Sequence, residues 1–191
     1  LFKDSHYPIH LDIGSAKGEF LIELASNYPN WNFLGLEIRE KLVSSSERKR
    51  KQLGLQNLRF LYCNVNISLD EWLSDLDRDQ LKRVSIQFPD PWFKRKHLKR
   101  RVLKKSLLIS IAKSMSQNGE LFIQSDILKL IEYMSSVIDD NIYFDRKVVK
   151  GLKYLHENPY EVSTDRELFV LKQNLPIYRA MYIRNKTLFI S

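Results

Sequence analysis

Five short apolar segments, each followed by an amphipathic stretch, organise the first 140 residues of the chain. IHLDI at 9–13, NFLGL at 32–36, LRFLY at 58–62, RVSIQF at 83–88 and ELFIQS at 120–125 have the length and the β-branched or aromatic content of strands. Between them, apolar residues recur at helical spacing over 18–27, 39–53, 68–76, 98–117 and 127–139. Parallel strands need a crossover of a dozen or more residues between them, and crossovers are right-handed. The alternation therefore predicts an α/β fold, a mostly parallel sheet with helices on both faces. After residue 140 the pattern changes: 142–149 and 177–184 read as strands, joined by a longer excursion with a short helix over 165–173. No repeat, low-complexity tract or Pro/Gly-rich linker interrupts the chain, so 1–191 reads as a single domain.

Composition narrows the function classes. A hydrophobic content of 43% is that of a globular chain, and no apolar run approaches a membrane span or a signal peptide. The first residue is Leu1 rather than Met, which leaves room for a preceding segment. A lone cysteine, Cys63, excludes an intramolecular disulfide, and the four histidines lack ligand spacing, so no metal and a reduced, cytoplasmic setting are expected. Charge says more. Residues 94–105, KRKHLKRRVLKK, hold eight Lys or Arg and no acid, while the remainder carries 23 basic and 23 acidic residues. The entire +8 sits in twelve residues, which points to a polyanion partner, nucleic acid ahead of a membrane surface.

In open α/β sheets ligands bind at the carboxyl ends of the strands. The first such end reads Asp12-Ile13-Gly14-Ser15-Ala16-Lys17-Gly18-Glu19-Phe20. Gly14 and Gly18 permit a tight turn and close backbone approach to a ligand, though G-x-x-x-G is also an ordinary strand–helix turn. Glu37 ends the second strand about twenty residues on, where a carboxylate suits two vicinal ribose hydroxyls. That placement serves nicotinamide and S-adenosylmethionine enzymes alike. Asn64, just past the third strand, is positioned for an adenine edge or simply for a turn.

The fourth strand end is the most distinctive: Phe88-Pro89-Asp90-Pro91-Trp92-Phe93, running straight into the basic segment. Two prolines lock the backbone around Asp90, either as a stiff turn with Trp92 as an anchor or as the mount for a functional carboxylate. Leu103, Leu107, Leu108, Ile111 and Met115 form one stripe of the expected 98–117 helix, and that stripe extrapolates back through Lys104, Arg101 and Arg100. Cations facing inward at a helix start oppose the helix dipole, and a bound phosphate would resolve the conflict. Thr164-Asp165-Arg166-Glu167 matches a capping box and is equally able to present a polar pair.

Together these motifs resemble those of the tRNA (guanine-N7)-methyltransferases. The matching features are the D-I-G-x-x-K-G-E-F loop, Gly35-Leu36-Glu37, the Phe-Pro-Asp-Pro-Trp turn with its basic run, Ser125-Asp126, and Thr164-x-x-Glu167. The resemblance is close over 12–126 and looser over 164–184, and departs at Ala16 and Phe93, where the family more often has glycine and proline. It implies a Rossmann-like class I methyltransferase fold with a seven-stranded sheet, whose last strands form an antiparallel edge. It also implies S-adenosylmethionine as methyl donor, tRNA as partner without an obligate protein partner, and methylation at N7 of guanine-46. By the same resemblance Asp12, Gly14, Gly18, Glu37, Asn64 and Asp90 line the cofactor pocket, with Asp90 also catalytic. Lys94, Asp126, Thr164 and Glu167 would face the guanine, and Lys96, His97, Lys99, Arg100 and Arg101 the RNA. Three other readings stay open on the residues: an exocyclic-amine or amide methyltransferase, a non-catalytic RNA-binding module, and a nicotinamide oxidoreductase.

Overall fold

The structure is a computed structural model that describes residues 2–74, 76, 79–149 and 151–189. Five parallel strands, β1 (Ile9–Ile13), β2 (Asn32–Glu37), β3 (Leu58–Tyr62), β4 (Leu81–Gln87) and β5 (Met115–Ser125), are followed by β6 (Phe144–Arg146) and β7 (Tyr178–Arg184). Their order across the sheet is β3-β2-β1-β4-β5-β7-β6. β7 runs antiparallel between β5 and β6, so the expected antiparallel edge is present. The strand order reverses between β1 and β4, and the carboxyl ends at such a switch point are where open α/β sheets bind ligands.

Helices cover both faces because the strands alternate. Leu11, Ile13, Leu34, Leu36, Val84, Ile86, Leu121 and Ile123 point to one side, against α3 (Val65–Ser74), α4 (Lys105–Ser114) and α5 (Leu128–Asp139). Phe33, Phe60, Phe122 and Met181 point to the other, against α1 (Glu19–Asn27) and the Tyr160–Val162 part of the excursion. α2 (Glu40–Gln52) follows β2, and α6 (Asp165–Lys172) precedes β7. On the α1 face the alternation carries six polar residues inward, all buried: His10, Asp12, Ser85, Gln87, Gln124 and Arg179. Among the described residues no helix is long and apolar enough to cross a membrane.

Three expectations need correction. The 98–117 helix is instead a 3₁₀ helix, Arg95–Arg100, an extended link and then α4 from Lys105. Lys104 is extended (φ −132°, ψ 161°), and Leu103 reaches the core from the link. A dense run of cations at an α-helical N-terminus would face both the dipole and its own repulsion, and the extended link avoids both. Arg100 and Arg101 therefore lie outside any α-helix. At the other end Met115 pairs with Leu81 in the sheet, and Asn118 (φ 62°) lets the strand bulge before Glu120 meets Arg83. The 142–149 strand shrinks to Phe144–Arg146, the stretch with β7 partners. Beyond it Val148 is 76% exposed and the chain bends through a Val149–Leu152 bridge. The helix expected over 68–76 begins earlier, at Val65, and residue 75 of that expectation lies outside the described residues.

Candidate active site

The loop after β1 is built from left-handed backbone. Gly14, Ala16 and Gly18 have φ of 87°, 49° and 76°, and the Gly14 and Ser15 N–H groups tie the loop to the Leu36 carbonyl (2.8 and 3.1 Å). A Cβ on Gly18 would run into the Phe60 ring, whereas one on Gly14 would meet nothing within 4 Å. Gly14 thus faces open space, as a cofactor cradle requires.

Glu37 at the end of β2 is 4% exposed and fully hydrogen-bonded. Oε2 accepts from the Ala16 N–H (3.1 Å) and from Arg39 Nη2 (3.1 Å), and Oε1 from the N–H (3.0 Å) and Nε (2.9 Å) of Arg39. Burial opposes its ionisation, but the bonds and charge from Arg39 and the Ala16 N–H outweigh that and hold the carboxyl below its ordinary range. The hydrogen bonds from Arg39 to Glu37 raise the Arg39 guanidinium's own pKa, and the charge of Asp90 adds a little to that. Asn64 starts α3: its Oδ1 accepts from the Asn66 N–H (3.3 Å) and its carbonyl from Ile67 and Ser68.

The strand-four turn is strained on both sides of its aspartate. Phe88 (φ 47°) and Trp92 (φ 44°) are left-handed non-glycine residues, a backbone cost that persists where packing imposes it and that concentrates at functional sites. The basic segment folds back over this turn. Arg101 Nε donates to the Pro91 carbonyl (3.0 Å) and its guanidinium lies 4.3 Å from the Tyr133 ring centroid. Arg100 covers Trp92 at 5.1 Å and His97 meets the same ring edge-on at 5.6 Å. These contacts hold Pro91 and Trp92, which follow Asp90; Asp90 itself is exposed. Lys94, Arg95, Lys96 and Lys99 are exposed as well, clear of that packing.

Three of the four guanine-side candidates, Asp126, Thr164 and Glu167, meet at α6, while Lys94 stays on the strand-four turn. Thr164 caps it, its hydroxyl accepting from the Glu167 N–H (3.1 Å). The reciprocal half of a capping box is replaced, because the Glu167 carboxylate turns inward. It is 1% exposed, accepting from Arg179 Nη2 (2.7 Å), Asn158 Nδ2 (2.7 Å) and Gln124 Nε2 (3.1 Å). Asp126, after β5, pairs with Arg166 of α6 at 2.6 Å.

Asp12 closes the crevice from the β1 side. Its Oδ1 accepts from Ser85 Oγ (2.5 Å) and Gln87 Nε2 (3.3 Å). Burial pushes its carboxyl up to about 6, the two hydrogen bonds opposing this and nearby Glu37 adding to it. Ser85 directs its proton to Asp12, so His10 Nε2, 3.0 Å from Ser85 Oγ, is the donor there. Burial holds His10 neutral, down to about 3, with Arg83 adding to the effect. A separate cavity of about 230 Å³ lies at the β6–β7 edge, and its lining holds none of the residues marked by the sequence motifs.

A family model described as a putative methyltransferase matches residues 6–180. A tRNA (guanine-N(7)-)-methyltransferase of Prochlorococcus marinus strain NATL1A is 73% identical, over 99% of this chain and 88% of its own length. One of Synechococcus sp. strain WH7803 is 49% identical, over 97% and 78% respectively. The chain belongs to the tRNA (guanine-N7)-methyltransferase family. Among solved structures, an rRNA methylase of Streptococcus thermophilus aligns with TM-score 0.58 at 14% identity, covering 94% of this chain and 88% of that one. An aminoglycoside resistance methyltransferase aligns with TM-score 0.61 at 16% identity, covering 95% and 89%. Both show the Rossmann-like class I methyltransferase fold.

In this member of the tRNA (guanine-N7)-methyltransferase family, the departure at residue 16 has a local explanation. Ala16 adopts the left-handed conformation that glycine reaches more cheaply, and its N–H still serves Glu37. Phe93, the other departure, is 63% exposed and leaves the turn undisturbed. Motif reading missed Arg39, His10, Ser85, Gln87, Gln124 and Arg179. The signal for the two glutamines was present: each follows an isoleucine at or next to the end of a strand, a polar residue in a buried run. Arg39 had only its place two residues after Glu37 to mark it.

Proposed function

We propose that the chain transfers the methyl group of S-adenosylmethionine to N7 of a guanine in tRNA, guanine-46 of the variable loop by the family resemblance, forming 7-methylguanosine. One juxtaposition carries this reading. The glycine cradle and Glu37, with Arg39 bound to it, lie at the same end of the sheet as Asp90 and an exposed cationic segment. The first pair suits an adenosine cofactor and the second a nucleic acid.

The residues present fit the cofactor. Gly14 and Gly18 would let the backbone approach it, and Glu37 would accept from its ribose hydroxyls once Arg39, whose side chain is 64% exposed, swings aside. Asp12 and Asn64 would complete that pocket. S-adenosylmethionine supplies an electrophilic methyl group carried on a sulfonium. Guanine N7 presents a free lone pair, so no general base is required. The protein's contribution is placement of N7, together with a fixed negative charge to offset the positive charge growing on the purine. Asp90, mounted on a stiff turn, is the residue for that charge. Lys94, Asp126 and Thr164 would grip the guanine, with Glu167 joining them once it gives up an internal donor, and Lys96, His97, Lys99, Arg100 and Arg101 would meet the RNA backbone. The substrate places the work in the cytoplasm.

Mass mapping of nucleosides after incubation with unmodified tRNA tests the reaction. The expected product is the cationic 7-methylguanosine, and a neutral N-methylated exocyclic amine would overturn the reading. Asp90→Asn should lower kcat by about 100-fold while cofactor and tRNA affinity change little. Near-normal turnover in this variant would remove Asp90 from the chemistry.

A further inference from the structure

The six inward polar residues on the α1 face form one connected chain, and its donors and acceptors can be assigned without ambiguity. Arginine only donates. Arg179 Nε lies 3.1 Å from Gln124 Oε1, which fixes that end of the amide as oxygen. The Gln124 NH₂ then faces the Gln87 carbonyl at 2.7 Å and Glu167 Oε2 at 3.1 Å. With its oxygen thus engaged, Gln87 turns its own NH₂ to Asp12 at 3.3 Å. Gln124 is fully buried and Gln87, Arg179, Asp12 and Glu167 are nearly so, so a reversed amide would leave donors facing donors in a low-dielectric interior.

We propose that Arg179 is a positioning residue of methyl transfer: it anchors the Arg179–Gln124–Gln87–Asp12 hydrogen-bond chain, which ties the Asp12 and Glu167 carboxylates together. This rests on the proposed reading of Asp12 as a cofactor-side group and Glu167 as a guanine-side group. Arg179 acts on Glu167 directly, through Nη2, and on Asp12 only through the two glutamines. Its remaining hydrogen bond, Nη1 to the His156 carbonyl at 2.9 Å, pins the excursion that carries α6. Without the guanidinium, Gln124 Oε1 loses its donor and Glu167 is buried without its cation, so the chain is held only by the two carboxylates that accept from the Gln124 and Gln87 NH₂ groups.

The test uses the full chain with Arg179→Met and Arg179→Lys, reading thermal stability, cofactor affinity by calorimetry, kcat and KM for tRNA, and side-chain amide exchange by NMR in the cofactor-free protein. In folded Arg179→Met, amide exchange of Gln87 and Gln124 and the S-adenosylmethionine Kd should each rise about 10-fold or more, the loss expected for one buried charged hydrogen-bond partner. kcat should fall about 100-fold with KM for tRNA within about threefold, and Arg179→Lys, which keeps the donor charge, should recover part of kcat and of exchange protection. Should Arg179→Met not fold, Gln87→Met cuts the chain while leaving the Arg179–Glu167 pair intact. It should weaken cofactor binding, and wild-type affinity there would overturn the proposal. Asp12→Asn and Glu167→Gln separate the two levels of inference. Full activity in both sinks the reading of the site. Impaired Asp12→Asn and Glu167→Gln beside unchanged kcat and amide exchange in Arg179→Met sink the Arg179 proposal alone.

Discussion

Gly14 and Gly18 share a left-handed backbone, yet a Cβ would cost them differently. At Gly14 it meets open space, so Gly14→Ala should lose only the conformational term, about 1–2 kcal/mol. At Gly18 it strikes Phe60, adding an overpacking cost of about 1–3 kcal/mol. Chemical denaturation should therefore rank Gly18→Ala well below Gly14→Ala, and equal losses would contradict the packing argument. Asp12 and His10 make a second prediction, in which sign matters. Folded Asp12 titrates at about 6 against an ordinary 3.8, so its contribution to stability is fully present below 3.8 and is lost as pH rises through 6. Asp12→Asn should then be more stable than the parent above pH 6, by up to about 3 kcal/mol, with the advantage vanishing below pH 4. Folded His10, held at about 3 against 6.5, behaves oppositely: its contribution is present above 6.5 and lost as pH falls toward 3. Between pH 4 and 6 the two offset each other in the parent, and Asp12→Asn should expose the histidine's acid sensitivity. Unfolding free energies of both proteins measured from pH 3.5 to 8 check this.

The cations of the 3₁₀ helix Arg95–Arg100 stand in two settings, and Arg100 is exposed in its own. Arg100 lies over Trp92, and Arg101, just past the helix, holds the Pro91 carbonyl and stacks on Tyr133, so both keep the Asp90 turn in shape. Arg95, Lys96 and Lys99 are exposed and free to meet phosphates. Replacing these three with Ala should weaken tRNA binding and leave cofactor affinity unchanged. The log–log salt dependence should flatten by about 0.7–0.9 for each phosphate that no longer meets a cation. A salt slope equal to the parent's would make the segment an ordinary solvated surface. The sequence showed where the cations are but not this division. Which ones are braces depends on the Trp92 and Tyr133 rings, the second brought in from α5.

Across the molecule, the centre of the sheet should be the last part to open. β1, β4 and β5 each have a partner on both sides and apolar helices over their faces, whereas β6 is a three-residue edge strand flanked by exposed Ile142 and Val148. Native-state hydrogen exchange should place the slowest amides in β1, β4 and β5, and the fastest strand amides in β6. Comparable protection in β6 would mean that the edge is covered by something other than β7. The charge pattern follows the same layout, since a body with balanced acids and bases presents its excess cations beside the switch point between β1 and β4.

The sequence by itself determined the α/β class, the five strand–helix units, the antiparallel end and the motif positions, because side-chain periodicity and glycine or proline placement are local properties. It placed Asp12, Glu37 and Asp90 at strand ends for the same reason. The tertiary structure decided what pairing decides. A helical stripe through Met115 gave way to strand pairing with Leu81, and a textual capping box lost its glutamate to Arg179, twelve residues away. The polar chain from Arg179 to Asp12 joins β7, β5, β4 and β1, which no periodicity within a single segment can bring together. It exists because sheet order sets these strands side by side and register aligns their inward polar residues at one end.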